Sequence, residues 1–232
     1  TFVGSQHRTL AAPAIGAAPD GQHALVAVRG DLAGAGLAEE DHEVIARPVD
    51  AAGLPNGPVT VVSDLAVDGL PGDPFGNHFE PSVAAFGDHY LVAYRGDDGA
   101  GLLPHGRVVD LTGSPVDAGE QVLVEGAGTG WSLSVAPDGS GGVIAAASDQ
   151  YPGDLHVQRL ALDGTTIAPA TATIVLEPNG SSVVDVAGDP VHAVIGSAAG
   201  GQATADLWER SRVTSFATPD VRLPSPTFEL RG

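Results

Sequence analysis

Four residues carry most of the chemistry that this sequence could offer a ligand: His7, His78, Glu80 and Trp131. His78 and Glu80 are two residues apart. In an extended strand that spacing turns both side chains to one face, setting an imidazole nitrogen beside a carboxylate oxygen. With His7 they would form a nitrogen–oxygen ligand set for a divalent metal ion, zinc, copper or calcium. No other cofactor is expected. Trp131 is one of two Trp residues, and its broad apolar face next to Ser132 suits stacking on a sugar ring. Ligand binding is therefore expected at Trp131, His78 and Glu80, and metal ligation at His7, His78 and Glu80. The plainer alternatives are that His78 bonds a loop backbone, Glu80 is solvated and Trp131 plugs the core.

Glu80 is also the best-placed carboxylate for hydrolysis of a glycosidic bond, which needs an acid and a base or nucleophile flanking that bond. Asp185 and Asp149 are further candidates, but 29 acidic residues make chance placement easy. No Gly-x-Ser-x-Gly elbow is present, and no phosphate-cradling Gly-Lys-Ser loop exists without Lys. Asp64, Asp68 and Asp73 fall in one Gly- and Pro-rich loop without the spacing of a calcium loop.

A repeat must position these residues. Gln22 to Asp31 (QHALVAVRGD) and Asp88 to Asp97 (DHYLVAYRGD) match in register from His to Asp. The surrounding pattern occurs four times: a small-residue strand, a turn, a very apolar strand, a third strand ending near Val-Asp, a Gly turn and a short fourth strand. First strands are expected at Ala12 to Ala17, Glu80 to Ala85, Ser132 to Ala136 and Ser182 to Val186. Second strands are expected at Ala24 to Val28, Tyr90 to Tyr94, Val143 to Ala147 and His192 to Gly196. Third strands are expected at Glu43 to Val49, Gly106 to Val109, Leu155 to Leu162 and Thr204 to Val213. Fourth strands are expected at Val59 to Ser63, Gln121 to Glu125 and Thr173 to Leu176, with the last within Phe216 to Leu223 or Thr227 to Leu230. Short apolar runs bounded by Gly and Asp turns read as buried strands. After Val49-Asp50 and Val109-Asp110, Asp is expected to bond its own backbone and Gly to supply positive φ. Arg29-Gly30-Asp31 and Arg95-Gly96-Asp97 spell an adhesive tripeptide. A repeated turn explains them, with Arg pairing to a carboxylate on the neighbouring strand.

The units resemble the repeats of secreted bacterial β-propeller proteins, Pro-x-Val-Ala … Gly-x-x-Leu-Val-Ala … Arg-x-Val-Asp … Gly. Here Pro81 to Ala85, Tyr90 to Ala93, Arg107 to Asp110 and Gly113 carry the likeness, which extends over most of residues 10–215. Four-stranded units of this length in tandem are propeller blades. The expected fold is all-β: a β-propeller of four four-stranded blades forming one domain, 1–232, with units at approximately 10–64, 78–126, 129–177 and 180–232. A terminal strand from Thr1 to Leu10 or Pro219 to Leu230 would close the ring. Five blades, or a β-sandwich, is the structural alternative. In a propeller the first strands line the channel and ligands sit at one mouth. His7, His78 with Glu80, Trp131 and Asn179 to Ser182 all precede or open first strands, and would meet there. The resemblance implies a secreted or cell-surface bacterial protein.

Composition limits the partners. Formal net charge is −19, with Lys and Arg together 10 against 29 Asp and Glu. All ten cations are Arg. A field of this sign repels phosphate backbones, so no nucleic acid is expected. Cys is absent, which excludes disulfides and thiolate metal sites. No apolar run is long enough for a membrane-spanning helix. The function expected is binding of a metal, glycan or small molecule at the channel mouth. The alternatives are a hydrolase using Glu80, with enzymatic activity left open, and a structural module of a larger assembly, with homo-oligomers possible.

Overall fold

The computed structural model describes residues 8–31, 42–63, 79–97, 102–124, 126–127, 132–139, 141–149, 153–163, 165–170, 173–181, 183–188, 192–199 and 202–209. Every regular element among them is a β-strand. The first antiparallel sheet contains β1 (Arg8–Ala17), β2 (His23–Asp31), β3 (His42–Asp50) and β4 (Thr60–Val61), in that order. The second repeats it with β5 (Phe79–Phe86), β6 (His89–Asp97), β7 (Leu102–Asp110) and β8 (Gln121–Val122). The third contains β9 (Ser132–Pro137), β10 (Gly142–Ser148) and β11 (Gly153–Asp163), with β12 (Thr166–Pro169) and β13 (Ile174–Ser181) both pairing with β11. The fourth contains β14 (Val183–Gly188), β15 (His192–Ala199) and β16 (Gln202–Glu209). Its expected fourth strand lies outside the described residues.

The chain divides into two compact units, Thr1–Val122 with Gly164–Thr166, and Leu123–Asp163 with Ile167–Gly232. In the first unit β1 packs against β5, the two being first strands of successive sheets. Leu25, Ala27, Val44, Ala46, Val62, Val83, Ala85, Tyr90, Val92 and Val109 form their common core. Middle strand β6 is buried without a break from Tyr90 to Tyr94, which is why its sequence does not alternate. Gly16 permits a close approach: a Cβ there would lie 2.6 Å from Val83 Cγ1 and 3.1 Å from the Val83 carbonyl oxygen. In the second unit β9 packs against β14, over Ala136, Ile144, Ala146, Leu155, Val157, Val186 and Ile195. There the Val186 N–H donates to Ser134 Oγ at 3.1 Å.

The turns follow the expected chemistry. Asp50 Oδ1 accepts the N–H groups of Ala52 and Leu54, each at 2.9 Å. Asp110 Oδ1 accepts those of Thr112 at 2.8 Å and Ser114 at 3.0 Å. Gly53 and Gly113 follow with φ of 75° and 81°. Burial pushes the Asp110 carboxyl up, but bonds from the Thr112 hydroxyl and the Ser114 and Thr112 N–H groups outweigh it and hold it below its ordinary 3.8.

Two expectations need correction. Asn179 to Ser181, read as a loop before a first strand, belong to β13, where Ser181 pairs with Gly153. The outer edge of β11 is divided between β12 and β13. The Arg-Gly-Asp tripeptides are the last rungs of β2 and β6 rather than turns: Gly30 pairs with Glu43 and Gly96 with Leu103, and both glycines are buried.

Candidate functional site

Proline sets up the geometry around Glu80. Phe79 pairs with Arg95 and Ser82 with Ala93, so three steps along β5 match two along β6. Glu80 and Pro81 share one opposing position. Pro81 has no N–H to give the ladder, and strands accommodate such a residue at a bulge. β1 slips the same way around Ala12-Pro13, between Ala11↔Arg29 and Ala14↔Ala27. At the β5 bulge Glu80 has φ of 49°, alone among the described non-glycine residues in having a positive value. Bulges ordinarily place glycine there, and a residue before proline is further restricted. Such a backbone costs on the order of 1–3 kcal/mol and persists where surroundings impose it, often at functional sites.

The carboxylate so placed is exposed and lies beside a guanidinium. Arg95 Nη2 donates to Glu80 Oε2 at 3.3 Å, with the Arg95 side chain 11% exposed and that of Glu80 52% exposed. Arg29 holds the same position on β2 as Arg95 on β6, paired to Ala11 and Phe79 respectively. Burial draws both guanidiniums below their ordinary pKa, and the Glu80 charge opposes that shift at each. Two partly desolvated cations thus share the influence of one carboxylate. Guanidinium forks bind oxyanions and hydroxyl oxygens in a fixed plane, while a carboxylate accepts from hydroxyls.

A second constellation lies in the other unit. Asp149, which follows β10, and Asp154 and His156 on β11 each place a ligand atom within 4.8 Å of the others. His156 Nε2 is 3.1 Å from Asp149 Oδ2, and the Asp149 N–H donates to the Asp154 carbonyl at 2.9 Å. These residues could hold a metal ion.

Among the expected site residues, Glu80 is described. His7, His78 and Trp131 lie outside the described residues, as does the loop of Asp64, Asp68 and Asp73. Asp185 is on β14 opposite Gly196. The pairing of Arg95 with a carboxylate on the neighbouring strand follows the expectation from its sequence. Of the remaining histidines, His23 and His89 pair with turn carboxylates Asp20 and Asp88, both at 2.6 Å. His105 on β7 and His156 on β11 are buried. Sequence reasoning missed the grouping of Asp154 and His156 with Asp149. Their two-residue spacing was the available signal, the same one that drew notice to His78 and Glu80.

No protein-family model matches the chain, and no curated protein matches it. Similar solved structures include the following two. One is a subtype N11 neuraminidase-like protein of A/flat-faced bat/Peru/033/2010 (H18N11), with TM-score 0.54 and 12% identity over 91% of this chain and 55% of that one. The other is the Trypanosoma rangeli sialidase, with TM-score 0.52 and 12% identity over 84% of this chain and 35% of that one. Both are β-propellers. The likeness is one of fold. The chain spans 55% and 35% of the lengths of these two proteins.

Proposed function

We propose that this chain is a ligand-binding β-propeller of four blades, closed by its terminal strands, on a secreted or cell-surface bacterial protein. It holds a glycan at the end of the first unit where Glu80, Arg95 and Arg29 converge. The observation that carries this reading is Glu80 itself: an exposed carboxylate on a left-handed backbone before proline, between two partly buried arginines. Nothing in strand pairing calls for a charged residue there, since the equivalent bulge in β1 carries Ala12. Carboxylate and guanidinium together match the donors and acceptors of vicinal sugar hydroxyls, and the guanidiniums also suit a sugar carboxylate. The sialidase among the similar structures supports a sugar as the ligand class. A net charge of −19 opposes acidic ligands at long range, but screening over about 8–10 Å leaves the local arginines to decide. His78 and His7 are proposed as further polar contributors, and Trp131 as a stacking surface, on sequence grounds.

A glycan array followed by calorimetry with the best neutral and the best carboxylate-bearing hit tests this. Binding should be lost in Glu80→Gln with melting lowered by no more than a few degrees, and weakened in Arg95→Lys. His78→Ala and Trp131→Ala score those residues separately. The reading fails if no glycan binds, or if Glu80→Gln binds as the wild type does. The exposure of Glu80 also favours a second reading, glycoside hydrolysis. Turnover of the bound glycan that disappears in Glu80→Gln would select it, whereas binding without turnover selects the first.

A further inference from the structure

We propose that Asp149, Asp154 and His156 form a binding site for a divalent first-row transition-metal ion, zinc or manganese in character, at the end of the β10–β11 hairpin where the two strands are joined. This inference is independent of the glycan reading and concerns the other unit. It starts from the ladder. Ser82 and Ser134 pair with Ala93 and Ala146, which sets β6 and β10 in common register. On the next rung Tyr94 pairs with His105 and Ala147 with His156, so the two histidines hold equivalent places on their third strands. In the second sheet the residue opposite the histidine is a large side chain, Tyr94, whose hydroxyl bonds Glu120. In the third sheet it is a methyl group, and Asp149 and Asp154 stand beside the imidazole instead.

The strand period then aligns the set. Asp154 and His156 are two residues apart on β11 and share a face. Asp149 stands across from Asp154, its N–H donating to the Asp154 carbonyl at 2.9 Å. Ligand atoms of all three residues fall within 4.8 Å of one another, and the Asp149 Oδ2 to His156 Nε2 separation is 3.1 Å. Two donors at about 2.0–2.2 Å from one zinc ion, at angles between square and tetrahedral, stand about 3.0–3.5 Å apart. The His156 side chain is 9% exposed and that of Asp149 27% exposed. The nitrogen ligand is thus held in the protein while the carboxylate side admits water to complete the coordination. One imidazole with two carboxylates selects zinc, manganese or cobalt over calcium, which takes oxygen ligands.

The competing account is that His156 only hydrogen-bonds Asp149. The two accounts separate in a titration of the metal-stripped full chain with zinc chloride, read by calorimetry and melting temperature. Cobalt chloride, read by its visible absorption, gives a ligand-field signature. One zinc equivalent should bind at this site and raise the melting temperature, and excess calcium should not displace it. Asp154→Asn should weaken binding by more than about tenfold, since even outer-sphere losses reach that scale. It should alter the cobalt spectrum while leaving the metal-free melting temperature close to wild type. His156→Asn should abolish binding, and Asp149→Asn serves in its place if the buried position of His156 prevents folding. Absence of zinc binding, or binding that is the same in Asp154→Asn and Asp149→Asn as in wild type, overturns the proposal.

Discussion

Replacing Glu80 by glycine and, separately, by alanine isolates the backbone cost at the bulge. Both variants remove the Arg95 ion pair, which joins a side chain 52% exposed to one 11% exposed. That loss, about 0.2–1 kcal/mol for such a pair in partial contact with water, cancels in the comparison. What remains is the residue's tolerance of φ 49°. In an ordinary strand interior, glycine is less stable than alanine by roughly 0.5–1 kcal/mol because its unfolded chain is freer. At a left-handed position the order inverts, since alanine bears the steric cost that glycine escapes. Glu80→Gly should therefore exceed Glu80→Ala in stability by about 1 kcal/mol, or roughly 2–4 °C in Tm for a chain of this size. Urea unfolding followed by circular dichroism measures the difference directly. Both variants should lose glycan binding, so the more stable one would be no better as a binder. If Glu80→Ala is as stable as Glu80→Gly, the left-handed bulge is wrong, and the case for a residue strained in the service of a ligand goes with it.

Three further outcomes follow from the packing. The Asp117 side chain is fully buried and accepts from Arg107 Nε at 2.8 Å and from the Val108 N–H at 2.6 Å. Asp117→Ala should cost about 3 kcal/mol or more by leaving the guanidinium uncompensated, as read by urea denaturation. Gly16→Ala should cost roughly 1–3 kcal/mol, because its Cβ would press on both side chain and backbone of Val83; a neutral result would place β1 elsewhere than against β5. The depressed Asp110 carboxyl contributes stability that is present above the unfolded-state value and is lost as pH falls through the lower folded value. The stability advantage of wild type over Asp110→Asn at pH 7 should accordingly narrow below about pH 4, and a constant gap in pH-jump unfolding would refute that assignment.

The parts of the fold legible in the sequence are those fixed within a few residues. Tyr90 to Tyr94 announced a buried strand by apolar content alone, and Val-Asp followed by Gly announced the reversals at Asp50 and Asp110. The bulges at Pro13 and Pro81 were visible as prolines, but the lost rung depends on pairing with β2 and β6, which no local pattern states. The tripeptides ending those strands looked like turns because Gly-Asp suits both uses; their ladder partners, Glu43 and Leu103, decide between them. Glu80 drew attention through its spacing from His78, whereas its arginine neighbours emerge from strand register. Asp149, Asp154 and His156 were each noticed or passed over singly, because the hairpin that gathers them is a tertiary fact.

The two best-matched sheets differ where their sequences match least. Tyr94 donates its hydroxyl to Glu120 Oε1 at 2.8 Å, with buried His105 also facing Glu120 at 3.7 Å. The same rung of the first sheet holds Val28 and Ile45, packed with Val26, Val59 and Val61. During folding, β2 and β6 are near-copies that compete for the same partners. Were β6 to add to β3, the Tyr94 hydroxyl would enter an aliphatic layer with no acceptor, at a penalty of roughly 1–3 kcal/mol. The polar trio thereby works as a postal code written into one copy of a duplicated phrase, and a tyrosine-to-phenylalanine change there would erase it without disturbing the finished sheet's outline.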